Sequence, residues 1–509
     1  MGRKILINAV DPEEFRVAIV EDGILQEFYI ESNTRELSRG NIYKAIVANV
    51  EPSLQAVFVD FGEARNGFLQ INEIHPEYFQ IDVKPNKKPD QLRIQDVIKR
   101  GQEILVQVTK EESERKGAAL TTYLSMPGRY IVLMPGRKQV GVSRKIEDEA
   151  ERQRLKEICS DMNLPPDIGC IIRTAGMGQT KRELKKDLSY MLRLWSNLKT
   201  RAREDKAPCL IYKDEDLGIR TIRDYFTPDT QEILIDNKET YQRLKEFMGV
   251  ISPVFTRKLR LNKDDKPVFA KYHLEEQIEE IYKKQIRLSS GGFILIEPTE
   301  ALVTVDVNSG KHKNEKDMEG TAFKANMEAA GEIARQLRLR DLGGLIVIDF
   351  IDMKDPKHNT EVVKELKNHL KKDKARTTVG KISKFGLLEL GRQHIRPAIQ
   401  KGAYIPCAQC QGLGIVKSPE AAALASLRKL VIRASKGDLK MIKAVFHHGV
   451  ASYLLNQKRS CLAELEEKHK LSIMIEGDAG ILPEEGDIVF IKRDACLSEP
   501  NLTPAGLEL

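Results

Sequence analysis

Two stretches of the chain, Val303-Thr-Val-Asp-Val-Asn-Ser-Gly310 and Gly343-Gly-Leu-Ile-Val-Ile-Asp-Phe-Ile-Asp352, decide the fold of its central region. Each is a short apolar run that ends in acidic side chains, and this pattern predicts two buried strands. The strand period of two places Asp306 and Asn308 on one face. A helical pattern at 321–339 makes the connection long enough for a crossover between parallel strands. The sequence therefore predicts an α/β unit whose acidic strand ends meet at the ligand-binding edge of the sheet.

The acidic residues at these strand ends have the chemistry of a metal site. Carboxylates such as Asp306 and Asp349 are the hard oxygen ligands that Mg²⁺ and Mn²⁺ prefer. An ion held there can activate water and neutralise charge on a phosphodiester, and Asn308 can orient a carboxylate by a hydrogen bond. The alternative is that each aspartate only ends its strand, as a turn residue or helix N-cap. The pattern favours a metal-dependent phosphoryl-transfer site.

Basic side chains follow the same strands and are candidates for holding a nucleic-acid backbone. They are Lys311, His312, Lys313, Arg338, Arg340, Lys384, Arg392 and Arg396. His312 is a conceivable acid or base, although a place on a loop surface is the commoner role for such a residue.

The region 38–122 reads as a small all-β domain. Strands are predicted at 42–50, 56–61, 66–70 and 103–109, which is one fewer than the five of a closed OB-type barrel. Aromatic and basic side chains cluster on this region, as single-stranded nucleic-acid binding requires: Phe58, Phe61, Phe68, Arg39, Lys44, Arg65, Lys110 and Lys116. The alternative is that the phenylalanines form the barrel core.

A weaker anion-binding pattern lies at Cys170-Ile-Ile-Arg-Thr-Ala-Gly-Met-Gly178, where a predicted strand ends in Arg-Thr and glycines follow. An Arg fork, a hydroxyl and free backbone N–H groups can form an anion nest. The helical pattern at 181–206 is rich in Lys and Arg, and its commoner meaning is a solvated face.

Cys407 and Cys410 form the chain's single C-x-x-C pair, in Pro406-Cys-Ala-Gln-Cys-Gln-Gly-Leu-Gly414. This spacing has the form of a zinc knuckle, but structural zinc needs four ligands. Either no zinc binds, or two chains share one ion. A redox pair is the third interpretation, and it is disfavoured because no strand pattern precedes Cys407.

Length and composition set broad limits. The chain has 509 residues and a net charge of +7, which predicts about three or four domains and permits a polyanionic partner. No apolar run approaches the roughly 20 residues that span a bilayer, and the N-terminus lacks a secretory signal pattern. We expect a cytoplasmic protein.

Together these segments resemble the bacterial ribonuclease E/G family, in its compact, ribonuclease G-like form, over nearly the whole chain. The residues that carry the resemblance are Arg39-Gly-Asn-Ile-Tyr-Lys44, Val50-Glu-Pro-Ser-Leu54, Lys116-Gly-Ala-Ala-Leu-Thr-Thr122, Arg173-Thr-Ala-Gly176, Thr304-Val-Asp-Val-Asn-Ser-Gly310, Arg335-Gln-Leu-Arg-Leu-Arg-Asp-Leu-Gly-Gly-Leu-Ile-Val-Ile-Asp-Phe-Ile-Asp-Met353 and Cys407-x-x-Cys410.

The resemblance implies a multi-domain fold with α/β and all-β parts. An OB-type RNA-binding barrel (38–122) and a 5′-sensor (123–217) would be inserted in a ribonuclease-H-like domain (1–37 and 218–282). A deoxyribonuclease-I-like α/β catalytic domain (283–400), a zinc link (401–418) and a small dimerisation domain (419–509) would follow.

The resemblance also implies roles for individual residues. Asp306 and Asp349 match the carboxylates that bind the catalytic Mg²⁺, and Asn308 matches the asparagine that supports one of them. Phe58, Phe68 and Lys116 match positions that grip RNA near the cut.

Two further groups of residues match known sites of the family. Arg173 and Thr174 match a pair that receives a 5′-monophosphate, and Arg144 falls in a segment similar to one lining that pocket. Cys407 and Cys410 match the thiols of a structural Zn²⁺ shared by two chains, although Ala408 stands where the family usually has Pro.

The function implied is hydrolysis of single-stranded, A/U-rich RNA by Mg²⁺-activated water, with Mn²⁺ as a substitute, in rRNA processing and mRNA decay. The implied assembly is a zinc-linked homodimer that pairs into a homotetramer. The scaffold tail of ribonuclease E, with its degradosome docking, is expected to be missing. Two alternatives stay open: a non-catalytic RNA-binding or ribosome-associated protein, and a phosphohydrolase of small phosphates.

Overall fold

The computed structural model describes residues 2–32, 38–80, 93–112, 116–162, 164–264, 266–310, 318–395, 399, 404–405, 407–410, 412–482 and 484–493. The chain divides into two compact units, Met1–Ile399 and Gln400–Leu509. Among the helices of these ranges, none has the length and apolar character needed to cross a membrane.

The strands of the described ranges are β1 Arg3–Asn8, β2 Glu14–Glu21, β3 Ile24–Ser32, β4 Ile42–Glu51, β5 Ala56–Asp60, β6 Gly67–Gln70, β7 Glu103–Lys110, β8 Ala119–Thr121, β9 Met126–Pro127, β10 Ile131–Pro135, β11 Val140–Val142, β12 Ile168–Ile172, β13 Cys209–Tyr212, β14 Glu232–Ile235, β15 Leu259–Leu261, β16 Gln285–Arg287, β17 Phe293–Pro298, β18 Val303–Asn308, β19 Gly344–Asp349, β20 Thr377–Ile382, β21 Leu387–Arg392, β22 Leu439–His447, β23 Ser472–Asp478 and β24 Gly486–Lys492.

The α-helices of the same ranges are α1 Ile94–Val97, α2 Glu149–Ser160, α3 Lys181–Glu204, α4 Leu217–Tyr225, α5 Lys238–Ile251, α6 Val268–Lys271, α7 Glu275–Tyr282, α8 Met318–Leu339, α9 Pro356–Leu370, α10 Pro419–Ala434, α11 His448–Gln457 and α12 Arg459–His469.

The first strands of the chain belong to a mixed five-stranded sheet with the order β15-β14-β1-β2-β3. β1 pairs in parallel with β14, with Ile5 opposite Ile233, although the barrel and the region after it lie between them in the sequence. Buried apolar side chains cover both faces of this sheet. Segments 1–37 and 218–282 therefore share one sheet, and the name ribonuclease-H-like for it stays a prediction.

The barrel predicted between residues 38 and 122 is confirmed. Its strands follow the order β4-β5-β6-β8-β7, and β7 pairs back with β4, which closes the sheet. The strand that the sequence pattern left unplaced is β8. β13 extends the sheet on the outer side of β4, so this strand joins the barrel although the sequence grouped it with 123–217.

Residues 126–204 form a four-stranded sheet, β11-β12-β10-β9, with α2 and α3. α3 starts with a capping box, because the Thr180 hydroxyl accepts from the Glu183 N–H while the Glu183 carboxylate accepts from the Thr180 N–H. Leu184, Leu188 and Met191 form the buried stripe that the helical pattern predicted.

The central α/β unit has a six-stranded sheet with the order β16-β17-β18-β19-β21-β20. β18 and β19 are parallel and joined through α8, as predicted. One face of the sheet packs against α8 and α9. On the other face Asp306 and Asp349 are exposed, because side chains alternate along each strand.

The sequence pattern also predicts a helix at 274–288 and a single strand at 380–390, and both predictions are wrong. The helical pattern at 274–288 ends at Tyr282, and Gln285–Arg287 is an edge strand paired with β17. The segment 380–390 contains the end of β20, a turn at 383–386 and the start of β21. Gly386, the last residue of the turn, has φ +81°, a backbone conformation that glycine adopts without strain.

The second unit contains a three-stranded sheet with the order β23-β22-β24. Helices α10, α11 and α12 bury apolar side chains against it, among them Leu430, Leu454 and Leu462, around Ile442 and Phe446 of the central strand. A complete small core therefore forms within this unit alone.

Candidate active site and RNA-binding residues

The predicted catalytic carboxylates lie side by side. Asp306 and Asp349 are opposite each other in the parallel register of β18 and β19, and adjacent strands are about 4.8 Å apart. The Asn308 amide donates a 2.8 Å hydrogen bond to Asp306 Oδ2. The structure thus brings together all three residues that the sequence singled out, on the exposed face of the sheet.

Like charges accumulate at this edge. Burial, together with the carboxylates of Asp306 and Asp352, raises the pKa of Asp349. A cation placed between these groups would relieve the repulsion, and Mg²⁺ typically takes only one or two carboxylates and keeps several waters. Within the described residues no group of three His, Cys, Asp or Glu side chains forms a complete metal-binding set. The aspartate pair with its supporting amide fits such a water-rich site.

Helix α8 fixes the segment that follows Asp349. The fully buried Asn326 amide donates to the Ile351 carbonyl (2.8 Å) and accepts from the Ile351 N–H (3.0 Å). Glu319, in the first turn of the helix, accepts from the N–H groups of Lys354 and Asp355. These contacts hold the backbone after Asp349 at two places, at Ile351 and at residues 354–355.

The three barrel phenylalanines have different environments. Phe58 and Phe68 pair across β5 and β6, with ring centroids 5.9 Å apart, and both are half-buried. Phe61 is buried in the barrel core and packs edge-on against Tyr43. The core alternative therefore holds for Phe61, while Phe58 and Phe68 remain available to stack on bases.

Lys116 lies beside this aromatic pair. Its neighbour Gly117 runs so close to β6 that an added Cβ would lie 2.3 Å from the Asn66 carbonyl oxygen. The Phe68 N–H donates to the Ala118 carbonyl at 2.7 Å. Only a glycine permits this approach, and it holds the exposed Lys116 near Phe68.

The predicted phosphate-sensing residues also share one sheet edge. β11 and β12 are parallel, with Val142 opposite Ile172, so Arg144 and Thr174, each two residues past its strand, emerge at the same end. Both side chains are exposed. Arg173 follows Ile172 directly, and its guanidinium donates to the Gly128 carbonyl at 2.7 Å and to Asp224 Oδ1 at 2.6 Å.

Asp224, from α4, is the anchor of Arg173. Although burial alone would raise the pKa of its carboxyl group, the charges of Arg223, Arg173 and Lys374 lower that pKa well below its usual range. The Lys374 ammonium lies 3.0 Å from the centroid of the Tyr225 ring and donates to the Asp224 carbonyl. Part of the Arg173 guanidinium is therefore already hydrogen-bonded to acceptors within the protein.

Three arginines predicted to hold an RNA backbone do not have that role. Arg338, Arg340 and Arg392 are buried. Arg392 forms an ion pair with Asp373 at 2.7 Å, and Arg340 donates to the Lys283 carbonyl at 2.7 Å. Inside the protein an arginine satisfies several acceptors at once, a use that sequence alone does not distinguish from surface binding. Lys311, His312, Lys313 and Arg396 lie outside the described residues.

The thiol pair forms a compact turn in the second unit. Hydrogen bonds from the backbone N–H groups of Cys410 and Gln409, and from the Cys410 thiol, lower the pKa of Cys407. The Leu413 N–H closes the turn on the Cys410 carbonyl at 2.8 Å. N–H groups aimed at sulfur favour the thiolate, which is the form that ligates zinc. The pair would supply two of the four ligands that a structural zinc site needs, so the zinc stays a prediction.

Two positioning residues were missed by the sequence. Asp224 follows no recognisable motif, because its role depends on packing between α4 and β12. Asn326 left a weak signal: it is an amide within an alanine-rich helical stripe, where an apolar residue is expected.

Comparison with known families gives three matches along the chain. The sequence model described as the ribonuclease E/G family matches residues 125–395, and an S1 RNA-binding domain matches residues 36–122. Residues 406–491 match a domain described as the RNase E/G, thioredoxin-like domain. In the sequence, Cys407 and Cys410 come before α10 and before the three strands of the described part of the second unit.

Individual relatives match over most of the chain. Ribonuclease E of Haemophilus influenzae is 43% identical over 474 residues, which is 93% of this chain and 50% of the relative. Ribonuclease E of Escherichia coli K12 is 42% identical, over 92% of this chain and 44% of the relative. The chain thus spans about half the length of these two relatives. Ribonuclease G of E. coli K12 is 36% identical over 491 residues, 96% of this chain and 100% of the relative.

The paired aspartates, the five-stranded barrel and these matches agree with one another, and the chain belongs to the ribonuclease E/G family.

Proposed function

We propose that this protein is an endoribonuclease that hydrolyses single-stranded, A/U-rich RNA with a catalytic Mg²⁺ ion. The observation that carries the proposal is the in-register pair Asp306 and Asp349 on an exposed sheet face, beside an amide that orients one of them. The family membership and the S1-type barrel support RNA as the polymer that is cut.

Asp306 and Asp349 bind the ion, and Asn308 holds the Asp306 carboxylate in one orientation. Bound there, Mg²⁺ lowers the pKa of water and neutralises charge on the phosphodiester. Phe58 and Phe68 stack on unpaired bases, and Lys116 holds the adjacent phosphate. The RNA is held on the barrel while its backbone lies at the carboxylates. Hydrolysis then leaves a 5′-phosphate and a 3′-hydroxyl.

Arg173, Thr174 and Arg144 bind the 5′-monophosphate of the substrate. Their common position at one sheet edge supports this assignment. Asp224 keeps the Arg173 fork in one plane, and the exposed Thr174 hydroxyl offers a further hydrogen bond. RNA with a 5′-monophosphate is then held more tightly than RNA with a 5′-hydroxyl.

Cys407 and Cys410 bind one Zn²⁺ together with the same pair of a second chain, giving a homodimer that pairs into a homotetramer. The substrates in the cell are rRNA precursors and mRNA in the cytoplasm. Chelation of zinc, or Cys407→Ser, should lower the mass measured by light scattering, whereas Cys461→Ser, at an exposed thiol elsewhere in the second unit, should leave it unchanged. If neither zinc chelation nor Cys407→Ser lowers the mass, the shared zinc is rejected.

The test of the function is cleavage of one A/U-rich oligoribonucleotide, carrying either a 5′-monophosphate or a 5′-hydroxyl, with and without Mg²⁺. Mg²⁺-dependent cutting that is faster on the monophosphate is expected. Equal rates on both substrates would remove the sensor and keep the nuclease. Binding without cutting under Mg²⁺ or Mn²⁺ would overturn the catalytic assignment and leave an RNA-binding protein.

A further inference from the structure

The turn that joins β20 to β21 lies directly beside the catalytic carboxylates. Leu387, the first residue of β21, is opposite Asp349 in the sheet register. A Cβ added to Gly386 would lie 3.1 Å from Asp352 Oδ1 and 4.0 Å from Asp349 Oδ1. Lys384 and Phe385 directly precede Gly386 in this turn, so their backbone lies next to the strand end that carries the proposed metal ligands.

The turn itself is well anchored. The Ser383 N–H donates to the Leu387 carbonyl at 2.8 Å, and the Gly386 N–H donates to the Ser383 carbonyl at 3.1 Å. The Phe385 N–H donates to the Ser383 hydroxyl at 3.2 Å. The backbone therefore presents Lys384 and Phe385 at a fixed place, although neither side chain is needed to close the turn.

The Phe385 side chain is unusually exposed to solvent for a large aromatic residue. Its side chain is 74% exposed, whereas Phe350 of the same α/β unit is buried. The Lys384 ammonium, also on an exposed residue, is 5.0 Å from the centroid of the Phe385 ring. Exposed aromatic surface is unfavourable in water, so a ligand that covers the ring gains free energy on binding.

We propose that Lys384 and Phe385 form a nucleotide-binding subsite on the catalytic side of the cut. The base of a nucleotide that flanks the scissile phosphate stacks on the Phe385 ring, and the next phosphate pairs with Lys384. The proposal rests on the proposed ribonuclease activity and adds to it a specificity contact outside the barrel.

Three observations favour RNA as the occupant. An aromatic face beside a cation is the pair of groups that binds single-stranded nucleic acid without reading sequence strictly. Lys381, at the end of β20 next to the turn, is also exposed and adds positive charge there. The nearby carboxylates require that a phosphodiester pass within a few ångströms of Gly386, so a flanking base must lie close to this turn.

The experiment uses the full chain and a 5′-monophosphorylated oligoribonucleotide with one cut site. Single abasic residues are placed at each position around that site, and kcat and KM are measured for wild type and Phe385→Ala. In wild type, one abasic position should raise KM about 5- to 100-fold, as expected for loss of one stacked base. Phe385→Ala should show the same rise on the intact substrate and no further rise at that abasic position.

Conservative variants separate stacking from structure. Phe385→Tyr and Phe385→Trp keep a ring and should retain the wild-type KM, whereas Phe385→Leu should behave like Phe385→Ala. The Mg²⁺ concentration that gives half the maximal rate should stay the same in all four. A shift of that concentration together with KM would mean that the residue acts through the metal site, and would overturn the subsite.

Lys384 is tested by salt dependence. Loss of one phosphate contact to a single strand should reduce the slope of log binding constant against log salt by about 0.7, and this is expected for Lys384→Ala. Lys364→Ala is the matched control, because Lys364 is an exposed cation of α9, on the opposite face of the sheet. Equal slopes for both variants would overturn the phosphate contact.

The outcomes distinguish this inference from the function on which it rests. If wild type cuts no RNA, the proposed function fails. If wild type cuts and Phe385→Ala has unchanged KM at every abasic position, only the subsite fails. A change of oligomeric mass in Phe385→Ala, with RNA affinity unchanged, would assign the exposed ring to contact with a second copy and reject the base-binding role.

Discussion

The larger unit contains two polar regions, the carboxylate edge and the Arg173 site. They differ in whether their charges are compensated by ion pairs. At the first, Asp306 and Asp349 lie side by side, and among the described residues neither forms an ion pair. At the second, Arg173 is paired with Asp224, which is in turn paired with Arg223. The pKa of Asp349 is accordingly raised, and the pKa of Asp224 is lowered.

The contrast indicates how each region meets a ligand. Uncompensated like charges destabilise one another, so a cation that binds between them is strongly favoured. A compensated arginine offers only its remaining donors, so an added phosphate gains less. On the proposed function, we therefore expect the carboxylate edge to determine whether RNA is cut and the arginine site to adjust how tightly a particular 5′ end is bound.

Removing one charge from the carboxylate edge should have the largest effect. Asp306→Asn or Asp349→Asn should slow cleavage about 1,000-fold, because a metal ion contributes several kcal/mol to the transition state and each 1.36 kcal/mol is a factor of ten. RNA affinity, measured by fluorescence anisotropy, should be retained. Glu300→Gln removes a charge at the opposite end of the same hairpin and serves as the control. Undiminished cleavage in both aspartate variants would end the metal-site assignment.

Removing the compensating charge from the arginine site should mainly affect stability. Asp224→Asn removes the carboxylate that Arg173 and Arg223 share, while Arg223 keeps its pair with Asp214, and should lower the free energy of unfolding by about 1–3 kcal/mol. The preference for 5′-monophosphate should fall as well, because the Arg173 fork loses its orientation. Asp161→Asn, at an exposed pair with Lys181, is the control and should leave the free energy of unfolding nearly unchanged, because solvent screens such a pair.

The stability difference between wild type and Asp224→Asn has a definite pH dependence. A carboxyl group with a lowered pKa stabilises the fold fully above its unfolded pKa of about 3.9, and loses this contribution as pH falls through the folded value. The difference measured by denaturation should not shrink between pH 8 and pH 5. It should grow as pH falls through about 7, because burial lowers the pKa of Lys374 to about 7 and the Asp224 carboxylate favours its charged ammonium. A difference that already shrinks between pH 7 and pH 5 would contradict the lowered pKa.

Loosening the segment behind Asp349 should have an intermediate effect on the metal. Asn326→Ala removes both hydrogen bonds to Ile351, and such supporting contacts typically change metal affinity about 10- to 100-fold. The Mg²⁺ concentration for half-maximal cleavage should rise by that factor. Gln336→Ala, a buried amide further along α8 that bonds Arg340, should lower stability without this rise. Equal Mg²⁺ dependence in the two variants would show that Asn326 only stabilises the helix packing.

The smallest effect is expected at the exposed rim of the arginine site. Arg144→Ala removes one solvated cation and should reduce the 5′-monophosphate preference about two- to five-fold, in line with the weak contribution of exposed charges. Competition between monophosphorylated and hydroxylated RNA measures this ratio. No change in the ratio would place Arg144 outside the phosphate site.

Much of the fold could be predicted from local patterns. The strands β18 and β19 and the crossover helix α8 follow from apolar runs and helical periodicity, and the barrel strands follow from alternation. The failures occur where local patterns are ambiguous. Residues 285–287 continue a helical stripe but pair with β17, and Gly386 turns a segment whose apolar residues read as one strand.

Charged residues were predicted less well than apolar ones. Lys384 is exposed beside the carboxylates, whereas Arg338, Arg340 and Arg392 are buried. Nothing in the local sequence distinguishes these cases, because an arginine near a strand end satisfies buried acceptors as readily as it contacts phosphate.

The sequence by itself determined the family and four of the five barrel strands, and it singled out the two aspartates, because strand periodicity and residue chemistry act over a few neighbouring positions. Only the tertiary structure decided that Asp306 and Asp349 are in register, that Asn326 and Asp224 position the two sites, and that Phe385 is exposed beside the carboxylates. These facts depend on contacts between segments that are distant in the chain, and local sequence does not encode which segments meet.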